Sequence, residues 1–376
     1  MTGIPPEHLT DLNTSPRLLL GPGPSMVHPR TLRVMATPVV GYLDPQCLAV
    51  MDDIQGLLRL VFQTANPLTL CVSGTGTAGM EATFYNFVEE GDPVLVCVAG
   101  FFGERMVEIA TRARAEVRRV DAPWGQVISA AQVEQALQAR PAKVVAIVHG
   151  ETSTGIQQPL DEIARVVHRH GALLLVDTVA SLGGVSIPVD ELDIDICYTG
   201  SQKCLSCPPG LAPITGGPRA AAFLQARKSP VQSWYLDLTL LRKYWGTERV
   251  YHHTPPTSMF YALREALRLI QEESLAACFE RHARMARMLW DGLESLGLSL
   301  IVPAELRLPT LTTVWAPEGA DEAAIRRRLL TEYNIEIAGG LGTFKGRAWR
   351  VGLMGHSARP ENVVALLGAL ERVLPS

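Results

Sequence analysis

The feature that most limits what this chain can fold into is a rhythm that begins at Leu68 and runs to Thr199. Short apolar runs alternate there with longer amphipathic stretches, the pattern of strands and helices laid down in turn. The runs at 68–72, 94–98, 116–120, 144–148, 173–176 and 194–199 predict strands. Most are near-continuously apolar, as strands covered on both faces are. The stretches at 78–88, 104–113, 130–137 and 160–170 predict helices, and Leu48, Met51, Ile54, Leu57, Leu58 and Val61 give an earlier one over 44–63. The expected fold is α/β, with a mainly parallel sheet sandwiched by helices.

The rhythm stops around Tyr251-His-His-Thr-Pro-Pro-Thr257, which divides the chain into an N-terminal segment (1–20), a large domain (21–255) and a smaller domain (256–376). In the last of these a long helix opens just after the prolines, with Ser258 as its cap. Further helices are expected at 279–296, 321–333 and 360–373, and strands at 298–302, 310–315, 335–337 and 348–353. That is an α+β arrangement, its helices segregated from an antiparallel sheet.

Composition narrows the function classes. The formal net charge is −4 and the pI near 6.2, so no global field favours a nucleic-acid backbone or an anionic membrane. The apolar runs at 144–148 and 172–176 are far too short to span a bilayer. Residues 1–15 carry no Lys or Arg and no apolar run, and the end Val373-Leu-Pro-Ser376 is not a Ser-Lys-Leu address. Seven cysteines, several in apolar runs, suit reduced core thiols. The expected location is the cytoplasm.

Four stretches at strand ends carry chemistry. Ser73-Gly-Thr-Gly-Thr-Ala-Gly79 follows a strand and opens a helix, so backbone N–H groups and hydroxyls can hold an anion. It matches the dinucleotide fingerprint, but the next strand ends Val98-Ala-Gly-Phe-Phe102 without the acidic residue a ribose needs. A small phosphorylated cofactor is therefore favoured, with a plain glycine-rich turn next and a dinucleotide last. Phe101 and Phe102, read at the end of that strand, can stack on a flat ring or simply pack in the core. His149-Gly-Glu-Thr-Ser-Thr-Gly155 can line a polar pocket or form a turn. Asp177 closes Leu173-Leu-Leu-Val-Asp, and a carboxylate there is costly unless paired; an organic cation or a turn cap would pair it.

Lys203 in Gly200-Ser-Gln-Lys203 follows a strand-like run in uncharged surroundings, whereas Lys143, Lys228, Lys243 and Lys345 lie beside Arg, Pro or turn residues. A desolvated lysine can form a Schiff base; a snorkelling lysine is the plainer reading. Together, an anion loop, a ring stacker, a buried Asp and this Lys at one sheet edge suit pyridoxal 5'-phosphate, with Asp177 on the pyridine nitrogen. Arg350 interrupts the apolar strand Trp349-Arg-Val-Gly-Leu353 and suits either a carboxylate or an internal salt bridge. No His and carboxylate cluster has metal-ligand spacing. Cys204-Leu-Ser-Cys207 is a lone pair without a second, and the adjacent His252 and His253 are set aside.

These motifs resemble the class V (fold type I) aminotransferases, and within them the alanine–glyoxylate and serine–pyruvate group. The likeness runs from Leu18 to about Leu370, through Leu-Leu-Gly-Pro-Gly-Pro-Ser25, Val-Phe-Gln-Thr-Ala-Asn-Pro-Leu-Thr69, His-Gly-Glu-Thr-Ser-Thr-Gly155, Val-Asp-Thr-Val-Ala-Ser-Leu-Gly-Gly184, Gly-Ser-Gln-Lys203, Tyr-His-His-Thr254 and Ala-Gly-Gly-Leu-Gly342. The resemblance implies that Lys203 is the Schiff-base lysine and Asp177 the partner of the pyridine nitrogen. It puts Thr75, Gly76, Thr77 and Gln202 at the phosphate, Phe102 on the ring and Thr152 beside it. Tyr251 and Thr254 would reach the phosphate of a neighbouring subunit, which implies a homodimer with shared sites. Arg350 would grip the substrate carboxylate, and the Gly23 turn would crowd a small side chain. Two positions depart from the pattern: Phe102, often Trp in relatives, and Thr77, where relatives carry His. The activity implied is ping-pong transfer of an amino group from alanine or serine to glyoxylate or pyruvate. The alternatives are a 2-aminoethylphosphonate transaminase, a cysteine desulfurase or a non-catalytic pyridoxal-phosphate-binding protein.

Overall fold

The computed structural model of the chain describes residue 12 and residues 14–374. Most of the N-terminal segment expected at 1–20, and the last two residues of the C-terminal tail, lie outside the described residues. The chain enters through β1 (Leu18–Leu19), passes the Gly-Pro turn into α1 (Pro29–Val34), and forms the long α2 (Pro45–Phe62). Asp44 caps α2 through a bond from the Gln46 N–H, Pro45 starts it with a preset φ, and Gln63 ends it in the left-handed region. Then follow β2 (Leu68–Ser73), α3 (Gly76–Phe87), β3 (Pro93–Val98), α4 (Phe101–Arg112), β4 (Glu116–Asp121), α5 (Ala130–Ala139) and β5 (Val144–Val148). A small hairpin, β6 (Gly150–Glu151) with β7 (Ile156–Gln157), leads to α6 (Asp161–Arg169), β8 (Leu173–Asp177), β9 (Ile196–Tyr198), β10 (Leu211–Gly216), α7 (Pro218–Ala226) and α8 (Leu238–Trp245).

The central sheet has the order β2-β10-β9-β8-β5-β3-β4. Every pairing is parallel except those of β10, which runs antiparallel to both β2 and β9. Because β10 reverses twice over, β2 again runs with β9. The C-terminal ends of β2, β3, β5, β8 and β9 therefore share one edge of the sheet. β5 and β8 are buried along their whole length, whereas β4 is a charged edge strand whose exposed residues keep other chains from pairing with it.

The rest of the chain is α9 (Thr257–Glu273), α10 (Leu275–Ser295), β11 (Leu311–Trp315), α11 (Glu322–Tyr333), β12 (Ile335–Glu336), β13 (Ala338–Gly339), β14 (Ala348–Gly352) and α12 (Pro360–Val373). β11, β14 and β13 form an antiparallel sheet, while β12 pairs in parallel with β1. The apolar residues fall into two main cores. One is built on the central sheet; the other gathers Leu20, Leu289, Leu293, Trp349, Leu366 and their neighbours. α9, which the sequence reading put at the head of the smaller domain, packs Phe260, Leu263 and Leu267 into the first core, and Leu20 packs into the second.

Several local expectations differ. Residues 298–302 form no strand and make only a single bridge, Leu300 to Val314, since Leu298 ends the helix turn and Pro303 follows at once. Ser258 lies inside α9, whose N-cap is Pro256 without a side-chain bond. β10 was not expected, because Pro213 and two flanking glycines disguise it. Phe101 and Phe102 do not end β3; after Gly100 they open α4.

Candidate active site

The shared edge of the sheet holds a cavity of about 180 Å³ lined by Thr75, Gly76, Thr77, Phe102, Thr152, Asp177, Gln202 and Lys203, with Met80, Arg105, Val148, Gly150, Val179 and Ala180. Eight residues picked out from sequence thus meet in one place, although they come from five separate loops.

Lys203 sits in the turn after β9, and two contacts with the N-terminal segment fix that turn. The Ser25 N–H donates to Gln202 O (2.9 Å) and its hydroxyl to Lys203 O (2.7 Å). The lysine Nζ donates to Pro22 O. Gly23 has φ +116°, and a Cβ there would come within 2.5 Å of Nζ and 2.7 Å of Cδ. Only glycine leaves room for the lysine and takes that backbone conformation. Burial lowers the Lys203 amine to about 8, and the charges of Arg350 and Arg105 push the same way. A useful fraction of it is neutral near physiological pH.

Asp177 is the last residue of β8 and stands in register with Tyr198 of β9. Residues paired in register point to the same face, and the Tyr198 hydroxyl donates to Asp177 Oδ2 at 2.7 Å while the Val179 N–H donates to Oδ1 at 2.8 Å. Neither donor is charged. Burial raises the carboxyl to about 6, opposed by these two bonds and by Lys203 and Arg105. A cation set against its open side would restore the ionised form.

At the head of α3 the chain turns through Gly74, at φ +148°, where a Cβ would lie 2.5 Å from that of Ala78. Thr75 is the N-cap but makes no side-chain cap bond; the Ala78 N–H is taken by Thr75 O at 2.8 Å, whereas among the described residues the N–H groups of Gly76 and Thr77, both in the cavity lining, have no acceptor. The Lys203 turn leans on this helix start: a Cβ on Gly200 would be 3.3 Å from Gly76 N and 2.9 Å from Gln202 Oε1. That Oε1 is buried and has no hydrogen-bond partner. A side-chain amide left unpaired in a cavity wall is one kept for a ligand.

The opposite wall is Phe102. Its N–H donates to Glu151 Oε2 at 3.0 Å, as does that of Gly103 at 3.4 Å, and the other carboxylate oxygen takes the Ser153 N–H and hydroxyl. Glu151, on the hairpin beside Thr152, thus caps α4 and sets the height of the Phe102 ring. Burial raises its carboxyl despite these bonds.

Arg350 lies on β14 and is buried; Nε donates to Gly339 O (2.8 Å) and Nη1 to Thr152 O (3.5 Å). Among the described residues it has no carboxylate partner, so the internal salt bridge that the sequence left open is not there. Burial lowers it to about 10, with Glu151 opposing. Tyr251 and Thr254 do not line the cavity. They lie on a half-exposed segment, the Tyr251 hydroxyl 3.5 Å from that of Thr254, held to the end of β2 by a 3.0 Å contact between His253 Nε2 and Ser73 Oγ. Cys204 and Cys207 are buried, and burial pushes the Cys204 thiol up to about 12 and that of Cys207 higher. Neither is a ready thiolate.

Sequence reasoning missed Arg105, Tyr198 and Glu151. A charged residue on an amphipathic helix reads as solvated, and a tyrosine inside an apolar run reads as core. The cavity accepts an anion at α3, a flat ring against Phe102, a cation at Asp177 and a carbonyl carbon near Lys203, and these four demands fit pyridoxal phosphate.

Comparison with known proteins points the same way. The profile of the aminotransferase class-V family matches residues 40–355. The alanine–glyoxylate aminotransferase of Mus musculus is 42% identical over 98% of this chain and 91% of its own. The (S)-ureidoglycine–glyoxylate transaminase of Bacillus subtilis is 41% identical over 97% of this chain and 92% of its own. Among solved structures, that of alanine–glyoxylate aminotransferase from Nostoc sp. superposes with a TM-score of 0.97 at 53% identity, covering 100% of both chains.

Proposed function

Because the chain belongs to the class-V aminotransferases, we propose that it moves the amino group of alanine or serine to glyoxylate or pyruvate. It is a pyridoxal-phosphate-dependent aminotransferase of fold type I. The observation that carries the substrate reading is Arg350: a buried guanidinium with no carboxylate partner among the described residues, which donates to the main-chain oxygen of Thr152, a residue of the cavity lining. A bidentate grip on an α-carboxylate is the strongest use of such a group.

When bound, the cofactor supplies an aldehyde that captures amines and a ring that withdraws electrons from the substrate Cα. The residues divide the remaining work. The N–H groups at the head of α3, with Thr75, Thr77 and Gln202, hold the phosphate. Phe102 stacks on the ring, and Thr152 lies at its edge. Asp177 keeps the ring nitrogen protonated. Arg350 would orient the substrate so that its Cα–H faces Lys203 Nζ; the neutral amine would take that proton and pass it to the carbon that bore the cofactor's aldehyde, which leaves the amine neutral again. The same amine returns a proton to Cα of the new amino acid in the second half-reaction. Gly23 leaves Lys203 its space.

The active assembly in this reading is a homodimer. Tyr251 and Thr254 do not line their own cavity, and Trp234, Tyr235, Val250 and Tyr251 leave large apolar surfaces exposed, as an interface does. Sedimentation giving a monomer at working concentration would end the shared-site reading. A cytoplasmic location is supported by seven free, buried thiols, and cell fractionation tests it.

The donor is tested by assaying alanine, serine, (S)-ureidoglycine, cysteine and 2-aminoethylphosphonate against glyoxylate and pyruvate. Alanine or serine with glyoxylate is expected to give the highest kcat/KM; a clear preference for (S)-ureidoglycine would replace that donor. A cysteine desulfurase needs a mobile thiol to accept sulfur, and all seven cysteines are buried.

A further inference from the structure

Arg105 is the charged group in this cavity that none of the assignments above uses. It lies one turn after Phe102 on α4, and residues three apart on a helix share a face. Its guanidinium sits 4.8 Å from the Phe102 ring centre and 5.3 Å from that of Phe101, and Nη1 donates to Thr77 Oγ1 at 3.1 Å. The side chain lines the same cavity as Thr75, Gly76, Thr77 and Lys203. Among the described residues it has no carboxylate within salt-bridge distance, whereas its neighbours Arg112 and Arg119 are paired with Glu108 and Glu104.

A guanidinium has five donors in a rigid fork and is always charged. One donor here is used on a neutral hydroxyl. The two aromatic faces hold the plane in place, so little rotamer freedom is left to lose when an anion arrives. The tie to Thr77 fixes the direction: the fork is leashed to the loop whose free N–H groups, those of Gly76 and Thr77, lie in the cavity lining.

We propose that Arg105 binds the phosphate of the cofactor, supplying the fixed positive charge that the neutral loop Thr75-Gly76-Thr77 lacks. By resting on Phe102 it also couples the phosphate grip to the height of the stacking ring. The proposal rests on the pyridoxal-phosphate reading of the cavity.

The test compares pyridoxal phosphate with pyridoxal, which lacks the phosphate, by titrating stripped full-length protein and following absorbance and intrinsic fluorescence. In wild type the phosphate ester binds far more tightly. In Arg105→Gln that preference is expected to fall about ten- to a hundredfold, the usual worth of a charge-assisted bond, while pyridoxal binding changes less than about twofold. Arg105→Lys should recover part of the preference, and inorganic phosphate alone should bind Arg105→Gln more weakly than wild type. If Arg105→Gln weakens both ligands by one factor, Arg105 merely props Phe102 and the proposal is wrong; if it weakens neither, it is also wrong. Should Arg105→Gln fail to fold, as judged by its melting curve, the same ratio is read from Arg105→Lys, where an unchanged ratio overturns the proposal. A wild type that binds neither ligand, or both alike, refutes the cofactor reading instead.

Discussion

Two buried aspartates at opposite ends of β8 have opposite fates: Asp177 closes the strand, and Asp195, just before β9, sits beside its start. At the end where the strand starts, Asp195 takes the Leu174 N–H at 2.8 Å, Arg219 Nε at 2.6 Å and His168 Nε2 at 3.0 Å, so its charge is compensated within the fold. At the end where the strand finishes, Asp177 has among the described residues only a tyrosine hydroxyl and one N–H, and the cations that share its cavity, Lys203 and Arg105, have no carboxylate within salt-bridge distance there. Both carboxylates are 3% exposed. Burial therefore does not separate structure from function here; completeness of pairing does. Charges satisfied by the protein hold the sheet to α6 and α7, and charges left over await a ligand.

Substitutions at the two ends should break in different ways. Asp177→Asn, which keeps shape and removes charge, is expected to lower kcat by roughly 10²–10³-fold, the scale of losing one preorganised electrostatic contact, with little change in melting temperature. Equal turnover in the variant would remove Asp177 from the site. At the other end, Asp195→Asn should leave kcat and KM within about twofold and lower stability by about 1–3 kcal/mol, because a buried acceptor loses its charged donors. A drop in turnover without loss of stability would erase the contrast between the two ends.

Arg350→Gln is a smaller perturbation of the same edge. The expected loss is about ten- to a hundredfold in kcat/KM for the amino acid, seen mainly as a raised KM, with cofactor affinity retained. An effect on cofactor affinity alone would move Arg350 from substrate to cofactor.

The smallest effect expected is on pH. With the Lys203 amine near 8, only its neutral form attacks, so the rate at which stripped protein takes up cofactor covalently should climb with pH, about tenfold per unit below the inflection, and level off above pH 8. A rise that continues towards 10 would mean that Lys203 is solvated and that the cavity does not lower it.

How much of this was legible beforehand follows from the same contrast. Lys203, Asp177 and the Gly74–Thr77 loop stood out because each is a costly or permissive residue at the end of an apolar strand, and local sequence carries that signal. The α/β alternation was readable for the same reason, strand by strand from 68 to 199. What stayed hidden depends on neighbours distant in sequence. Tyr198 matters through its register with Asp177, and Glu151 through the N–H groups of α4. Arg105 was hidden by the misplaced start of α4: once the helix opens at Phe101, its three-residue spacing from Phe102 brings it to the cavity. β10 was lost because Pro213 weakens the strand pattern, while its place between β2 and β9 comes from pairing.

The central claim is that Lys203 attaches the cofactor and carries the proton of transamination. It is tested most directly by following the visible spectrum of the cofactor-loaded protein as alanine and then glyoxylate are added. The wild type should lose its visible band with the first and regain it with the second, and Lys203→Ala should do neither at a measurable rate, a fall of roughly 10³-fold or more. A Lys203→Ala protein that keeps the lysine-bound band and completes both half-reactions at the wild-type rate would contradict the account.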